Sequence, residues 1–326
     1  MKILVTYPGK LHTVPMGDFS EKALITMGHE VYSFDFTSNL SEKILRKINT
    51  KSNEVYHHLN ARFRRRIDNI KPDLVLVIFG FDLSIKSLEF LRQRKIVSVC
   101  WWLNDPFQFK RSLDKAPYYD FLYTNSMVSV ENYKASGIYN VSWLPTACDP
   151  DVHKQVLAVN KYKSEVCFAG DWCLLREQWC LELNKHFDLR IFGPWKKKLK
   201  SNSPLLSCVY DGFFSPQEMC QMFASSKIVF NIHSWHGKWN HGTNPRLFEA
   251  AGCGVCQVVD WKKDIPYLFD IPNEVITYSD YSGLISKVKD LINSPNTRES
   301  MSKNAQQHAY DEHTYTHRMH SILEKI

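Results

Sequence analysis

The sequence predicts an α/β protein with two Rossmann-like domains, each containing a doubly wound parallel sheet. At 326 residues, the chain exceeds one ordinary hydrophobic core and suits two domains of roughly 150 residues each. Its hydrophobic fraction of 44% and charged fraction of 23% are those of a globular chain. Short apolar segments alternate with longer helical ones in both halves, and this alternation indicates parallel strands joined by crossover helices.

The first half of the chain begins this alternation. Its third strand, residues 74–79, is an unbroken apolar run that follows Lys71-Pro72-Asp73, which is typical of a parallel strand covered on both faces. The expected strands are 2–7, 30–36, 74–79, 96–102, 119–124 and 141–144, and the expected helices are 18–27, 40–69, 84–94 and 127–136.

A two-proline break between Pro145 and Pro150 separates the two halves, and a second alternation follows it. We therefore expect a first domain over residues 1–147, a linker over 148–163, a second domain over 164–300, and a closing helix over 301–326 that could pack back on the first domain. In the second half, the expected strands are 165–169, 189–192, 227–232, 255–259 and 275–277, and the expected helices are 174–186, 215–224, 244–251, 282–293 and 297–324.

The sequence predicts neither a membrane span nor a secretory leader. No apolar run reaches the ~20 residues that a bilayer requires, and the run over residues 3–7 is too short for a signal peptide. The nine cysteines are scattered and odd in number, so they predict no disulfide framework. Cys253 and Cys256 form a C-x-x-C in a helix-to-strand turn, where a buried structural role is favoured. We expect a cytoplasmic protein.

The charge balance is mildly basic. The net charge of +7 comes from 41 Lys and Arg against 34 Asp and Glu. This balance suits a polyanionic ligand such as a nucleoside diphosphate, or an anionic surface, without requiring nucleic acid. The densest basic clusters, residues 62–66 and 196–200, are more readily explained as solvated faces and loops.

The stretch over residues 228–254 is the most informative part of the sequence. A strand ends near Asn231 and His233, and a polar loop then leads into a helix that begins near Asn244. Loops at the carboxyl ends of parallel strands form the ligand crevice of open α/β sheets. A helix N-terminus at that edge offers free N–H groups and a partial positive charge to a diphosphate. Arg246 lies in the first turn, where a cation opposes the helix dipole unless it faces an anion.

Glu249 is a carboxylate on an otherwise small and apolar helix. It could be an ordinary exposed helix residue. Its neighbours Phe248 and Ala250 are apolar, and the following Gly252 and Gly254 allow close packing. We therefore favour a partly buried acceptor for two vicinal hydroxyls.

The segment Asn244-Pro245-Arg246-Leu247-Phe248-Glu249-Ala250-Ala251-Gly252-Cys253-Gly254 resembles the N-x-R-x-F-E-x-x-x-C-G signature of the CgeB-like (spore-maturation-type) glycosyltransferases, relatives of the large retaining GT-B families. The resemblance extends over nearly the whole chain. Four shorter matches occur in the expected order: Val141–Pro145 with Asp149, Val166–Asp171 with Arg176, Tyr210-Asp211-Gly212, and His313–Arg318.

This resemblance implies a GT-B fold, with two Rossmann-like domains facing a central cleft. It implies transfer of a sugar from a nucleoside diphosphate sugar (UDP-, dTDP- or GDP-linked) to an acceptor hydroxyl. Glu249 matches the glutamate that binds the ribose 2′- and 3′-hydroxyls. The matching diphosphate contacts are Arg176, Arg246 and the turn at Gly170, and Asn231, His233 and Asn244 complete the expected donor-binding set. No metal or other cofactor is expected.

The sequence departs from the family pattern at His241. The broader retaining families have a glutamate that contacts the sugar eight positions before the ribose glutamate, and here that position is His241. We expect a catalytic role for His241 as a donor to the sugar or the phosphate, and the anomeric outcome stays open. A metal triad of His233, His236 and His241 is conceivable, but its spacing fits no standard zinc site.

The first domain is expected to supply the acceptor side. Asp105 comes just after a buried strand, where the family has an Asp-Pro-type element. It could act as a general base if its surroundings raise its pKa, or it could cap the turn before Pro106. Lys10 and His12 follow the first strand and could contact either substrate.

Two other functions stay open from the sequence. The chain could be a non-catalytic protein that binds a sugar or nucleotide in the same cleft. It could also glycosylate modified DNA, with residues 62–66 tracking phosphates and binding falling steeply with salt. The acceptor could be a polysaccharide, a glycoprotein or a small molecule, with DNA less favoured.

Overall fold

The structure, a computed structural model, describes residues 1–8, 14–36 and 52–326. Lys10, His12 and the beginning of the helix expected at 40–69 lie outside the described residues. Two units divide the chain. The first contains the amino-terminal strand, Pro15–Pro145 and Arg318–Ile326, and the second contains Thr146–His317.

The first unit is built on a parallel sheet with the strand order β2-β1-β3-β4-β5-β6. Helices connect successive strands because parallel neighbours require crossovers. Its described strands are β1 (Lys2–Tyr7), β2 (Glu30–Asp35), β3 (Leu74–Ile78), β4 (Val97–Trp102), β5 (Phe121–Thr124) and β6 (Val141–Trp143). Its described helices are α1 (Met16–Thr26), α2 (Ser52–Ile70), α3 (Ile85–Gln93), α4 (Phe109–Leu113) and α5 (Met127–Ala135).

The core of the first unit lies against the central strands of this sheet. All five residues of β3 are buried, as the unbroken apolar run predicts for a strand covered on both faces. Phe63 and Ile67 of α2 share a core cluster with Val75 and Trp102 of the sheet. Each such fully buried side chain stabilises the fold by about 1.5–3 kcal/mol.

The second unit repeats this architecture with the strand order β12-β11-β10-β7-β8-β9, again all parallel. Its strands are β7 (Ser164–Ala169), β8 (Leu189–Phe192), β9 (Val209–Tyr210), β10 (Ser226–Asn231), β11 (Gln257–Asp260) and β12 (Ile276–Tyr278). Its helices are α6 (Leu174–Asn184), α7 (Pro216–Ala224), α8 (Pro245–Gly252), α9 (Tyr281–Asn293) and α10 (Pro295–Glu312), and α11 (Tyr315–Leu323) follows them at the end of the chain.

The expected doubly wound parallel sheets are therefore confirmed in both halves. In the second sheet the chain runs outward from β7 through β8 and β9, then returns to pair β10 with the other side of β7. The strand order reverses between β7 and β10. Ligands of open α/β sheets bind at the carboxyl ends of the strands at such a reversal.

The expected single helix at 297–324 is wrong, because the chain breaks it at His313 and Thr314. Thr314 forms a parallel bridge with Cys148. The backbone N–H of Cys148 donates to the His313 carbonyl, and the N–H of Tyr315 donates to the Cys148 carbonyl. The Thr314 hydroxyl then accepts from the N–H of His317 at 3.3 Å, a side-chain cap for α11.

The segment over 148–163 belongs to the second unit. Cys148 and His153 are fully buried, and a Cβ added to Gly252 of α8 would lie 3.0 Å from the Cβ atoms of both. The segment is thus packed closely on α8. In the described parts of the chain, no helix combines the length and apolar character needed to cross a membrane.

Candidate active site

The candidate site lies at the carboxyl edge of the second sheet, where β7 and β10 lie side by side. β7 leads into a turn at Gly170, and β10 leads into the loop over 232–244 that ends at α8. Both segments carry residues that the sequence predicted, because the reversal of strand order brings their ends together.

The Gly170 turn is held by its neighbours in the sheet. Its N–H donates to the Phe192 carbonyl at 2.9 Å, and its own carbonyl accepts from the indole of Trp195 at 2.8 Å. A Cβ on Gly193 would lie only 2.3 Å from the Gly170 oxygen, and Gly193 has a φ of +154°. Gly193, which the sequence reasoning missed, is therefore needed for this turn to approach β8 so closely.

Arg176, on the first turn of α6, connects the ends of β7 and β10. Its guanidinium donates to the Asp171 carbonyl at 2.9 Å and to the Ile232 carbonyl at 3.4 Å, and it lies over the Phe168 ring at 5.4 Å. Burial lowers the pKa of Arg176, but a guanidinium stays charged at neutral pH. A positive charge is thus fixed at the point where the two strands end.

The N-terminus of α8 faces the same edge. Asn244 caps the helix by accepting from the N–H of Leu247 at 3.2 Å, and Pro245 occupies the first helical position. The side-chain amides of Asn244 and Asn231 exchange hydrogen bonds of 2.8 and 3.2 Å. This pair joins the end of β10 to the start of α8.

Arg246 and Glu249 form an ion pair on one face of α8. The guanidinium lies 2.5 Å from Glu249 Oε2 and donates through Nε to the Ala169 carbonyl at 3.2 Å. Residues three apart are neighbours on a helix, which brings the two side chains together. Arg246, predicted to hold a diphosphate, thus already has a carboxylate partner.

Glu249 is fully buried, with 0% exposure, rather than partly buried as expected. Its Oε1 accepts no hydrogen bond from the described residues and lies 3.9 Å from His153 Nε2. Burial raises the pKa of Glu249, and the Arg246 charge opposes that effect. A buried carboxylate oxygen without a donor is costly, so this atom is suited to receive a hydroxyl from a ligand.

His233 is fully buried beside Asp260, the last residue of β11. Its Nδ1 lies 2.6 Å from Asp260 Oδ1, and its Nε2 accepts from the N–H of Asn244 at 3.0 Å. Burial lowers the pKa of His233, although Asp260 opposes this. These partners define a neutral imidazole with its proton on Nδ1, which supports the start of α8.

Asp260 gathers several further groups at the end of β11. Burial alone would raise its pKa, but His233, His236 and Lys262 outweigh burial and lower it. His236 Nδ1 lies 3.0 Å from Oδ2, and the fully buried Lys262 Nζ lies 2.7 Å from the same oxygen. Asp260 and Lys262 escaped the sequence reasoning. The sequence does contain a signal for Asp260, because this residue ends an apolar strand at the same edge of the sheet as Asn231.

His241 forms a second histidine–carboxylate pair. Its Nδ1 lies 2.8 Å from Asp264 Oδ1, and its side chain is 24% exposed while that of Asp264 is buried. The other carboxylate oxygen accepts from the N–H of Gly242 at 3.0 Å. Asp264 was also missed by the sequence reasoning.

The three loop histidines do not converge on a metal site. Each directs Nδ1 to a carboxylate, and the one group in the described residues with three ligand atoms in mutual reach is His308, Glu312 and His313. Cys253 of the C-x-x-C lies 3.3 Å from Cys220, sulfur to sulfur, and belongs to a different core cluster from Cys256.

Asp105 lies in the first unit and is fully buried. Its carboxylate accepts from the Trp102 indole at 3.1 Å and from the Thr124 hydroxyl at 2.7 Å. Burial raises the pKa of Asp105 to about 6, although these hydrogen bonds oppose the rise. The raised pKa matches what a general base requires, but the enclosure favours a structural role. The carboxylate joins the ends of β4 and β5 through Trp102 and Thr124, which differs from the expected alternative of a cap on the turn before Pro106.

The family model described as "Glycosyl transferase-like" matches residues 175–324. Spore protein CgeB of Bacillus subtilis (strain 168) is 24% identical over 248 residues, which cover 72% of this chain and 76% of that protein. The chain is thus similar to a CgeB-like protein over most of its length and to glycosyltransferases over its second half.

Solved structures share the fold of this chain. Sucrose-phosphate synthase from Thermosynechococcus elongatus has a TM-score of 0.74 at 10% identity, covering 100% of this chain and 98% of that one. Anabaena HepE in complex with UDP and glucose has a TM-score of 0.73 at 14% identity, covering 100% and 99%. A trehalose-6-phosphate synthase scores 0.68 at 10% identity, covering 99% and 98%. The expected GT-B fold is confirmed, and the chain is a glycosyltransferase enzyme.

Proposed function

We propose that this chain transfers a sugar from a UDP-, dTDP- or GDP-linked donor to an acceptor hydroxyl, with no metal ion, and that the donor binds at the Gly170 turn and α8. The observation that carries this proposal is the Arg246–Glu249 pair at the reversal of strand order. Support for a nucleotide sugar comes from Anabaena HepE, which has been solved with UDP and with UDP-glucose.

The diphosphate half of the donor would lie between two guanidiniums. Arg176 is anchored on the Asp171 and Ile232 carbonyls, and Arg246 on the Ala169 carbonyl. Together with the N-terminus of α8, these groups present positive charge where the leaving diphosphate gains negative charge. They would supply the stabilisation that a divalent cation supplies in other enzymes.

The ribose would bind at Glu249. One carboxylate oxygen, Oε1, has no donor among the described residues, and the other is paired with Arg246. The side chain of Arg246 is 11% exposed, whereas that of Glu249 is 1% exposed. Donor binding would therefore exchange partners: Arg246 turns toward the diphosphate, and the ribose hydroxyls donate to the carboxylate that it leaves.

The proposal also includes the stereochemistry of the reaction and its cellular location. Retention of configuration is proposed because the trehalose-6-phosphate synthase neighbour was analysed as an enzyme of glycosyl transfer with retention. A cytoplasmic site of action is proposed because all nine cysteines are free thiols.

The acceptor proposed is a hydroxyl of a polysaccharide, glycoprotein or small molecule rather than DNA. The arginines of α2 are partly engaged within the first unit: Arg62 lies 5.4 Å from the Phe34 ring, and Arg64 donates to the Ser87 hydroxyl at 2.9 Å. These guanidiniums are less available for tracking phosphates.

The experiment measures binding of UDP, GDP and dTDP to the wild type, to Glu249→Ala and to Glu299→Ala, together with nucleotide release from a panel of their sugar conjugates. Losing one ribose contact, at about 1.5–3 kcal/mol, predicts affinity for the preferred nucleotide about ten- to a hundred-fold weaker in Glu249→Ala. The exposed Glu299 of α10 is the control, with no change expected. Unchanged affinity in Glu249→Ala, or no nucleotide that raises the melting temperature of the wild type, would refute the proposal.

A further inference from the structure

In the His241–Asp264 pair, the carboxylate orients the imidazole and leaves one ring nitrogen able to bind a ligand. One ring nitrogen, Nδ1, lies 2.8 Å from a carboxylate oxygen of the buried Asp264. The other, Nε2, makes no hydrogen bond to the described residues, and the side chain is 24% exposed. His233 differs, because both of its nitrogens are occupied and it is fully buried.

The carboxylate decides which nitrogen carries the proton. Asp264 accepts and cannot donate when ionised, so a neutral His241 holds its proton on Nδ1. Nε2 is then an acceptor with its lone pair directed away from Asp264. An acceptor of this kind suits a sugar hydroxyl, which can donate a hydrogen bond, and does not suit an ionised phosphate oxygen, which cannot.

The loop around His241 is fixed at several points. The second oxygen of Asp264 accepts from Gly242 N–H at 3.0 Å, and the His241 carbonyl accepts from the Trp235 indole at 2.9 Å. The N–H of Lys263 donates to the Asn240 carbonyl at 2.8 Å. These bonds fix the position of the imidazole ring. His241 is three residues before Asn244, which caps α8. Such support is what a binding group needs to keep its orientation.

We propose that Asp264 is a positioning residue that fixes the tautomer of His241, so that Nε2 accepts a hydrogen bond from a hydroxyl of the transferred sugar. The inference rests on the proposed function, because it places the sugar beside the loop whose far end begins α8. It assigns the sugar half of the donor to the 232–244 loop, whereas Arg176, Arg246 and Glu249 serve the nucleotide half.

The test compares UDP with UDP-glucose as probes. Asp264→Asn keeps the shape of the side chain, and its amide oxygen can still accept from Gly242. Its amide nitrogen would donate to Nδ1 and move the imidazole proton to Nε2, which turns an acceptor into a donor. We expect UDP affinity unchanged within about two-fold, and kcat/KM for nucleotide release from UDP-glucose lower by about ten-fold or more.

The double variant separates positioning from general support of the fold. If Asp264 acts through His241, Asp264→Asn causes no further loss of kcat/KM in a His241→Ala background. Additive losses would overturn the inference, as would equal losses for UDP and UDP-glucose. Glu324→Gln is the matched control, because Glu324 lies 3.0 Å from His320 in an exposed pair of the same kind.

The outcomes distinguish this inference from the proposed function. If the wild type binds UDP and UDP-glucose, but Asp264→Asn changes neither UDP affinity nor kcat/KM for UDP-glucose, only the positioning role is refuted. A wild type that binds none of UDP, GDP and dTDP refutes both. If Asp264→Asn fails to fold, the test uses His241→Ala, because His241 is partly exposed and its side chain can be removed without leaving a buried cavity. The inference then requires that turnover of UDP-glucose falls while the affinity for UDP stays unchanged. Any other result shows that the inference is wrong.

Discussion

The buried carboxylate of Asp105 makes a pH-dependent contribution to stability whose size follows from its surroundings. Burial raises its pKa to about 6 from an ordinary value of 3.8. At about 1.4 kcal/mol per pH unit, the difference amounts to about 3 kcal/mol. Because the folded pKa is raised, the protonated acid is favoured in the folded protein. The contribution is most favourable below about pH 4 and is lost as the pH rises to about 6.

Asp105→Asn isolates this effect, because the amide does not titrate while the Trp102 and Thr124 groups stay in place. The free energy of unfolding of the wild type, minus that of Asp105→Asn, is expected to fall by about 2–2.5 kcal/mol between pH 4 and pH 7. Urea denaturation followed by tryptophan fluorescence at closely spaced pH values measures it. A difference that stays flat over this range would show that the carboxyl is not held in the enclosed site described.

Two further predictions concern the second unit. Arg246→Met leaves the Glu249 carboxylate buried without its cation and should destabilise the unit by about 3–5 kcal/mol. Glu249→Gln should cost only about 1 kcal/mol, because the amide oxygen can still accept from Arg246 and the remaining charge is on the more exposed partner. Equal losses in urea denaturation would contradict the pairing. Gly193→Ala places a Cβ 2.3 Å from the Gly170 oxygen and should cost about 3 kcal/mol or more, whereas Gly212→Ala, with a φ of +114° and open space around it, should cost about 1–2 kcal/mol from strain alone. Similar melting temperatures for the two glycine variants would argue against the close approach.

Much of the fold could be predicted because local sequence encodes it. Unbroken apolar runs such as Leu74–Ile78 become central strands, since parallel strands are covered on both faces. The break in the closing helix could not be predicted in this way. It depends on Cys148, more than 160 residues earlier, whose backbone bonds to His313 and Tyr315. Helical periodicity contains no information about such a distant partner.

The sequence predicted where the candidate site lies better than it predicted which side chains contact one another there. The carboxyl-edge rule located Asn231 and Asn244, which the structure joins by their amides. Asp260 was not predicted, although it ends the apolar strand β11 at the same carboxyl edge of the sheet. The pairing of Arg246 with Glu249 follows from their spacing on one helix, but the complete burial of Glu249 depends on packing by the segment over 148–163, whose His153 lies 3.9 Å from its carboxylate.

The central claim is that a nucleoside diphosphate binds at the Gly170 turn and α8, with its ribose on Glu249. A crystal structure of the protein with UDP tests this most directly. The account predicts a ribose hydroxyl about 3 Å from the Glu249 carboxylate, with diphosphate oxygens in hydrogen-bond reach of Arg176 and Arg246. UDP bound elsewhere, or bound here with Arg246 still paired to Glu249 and the ribose not touching the carboxylate, would contradict it.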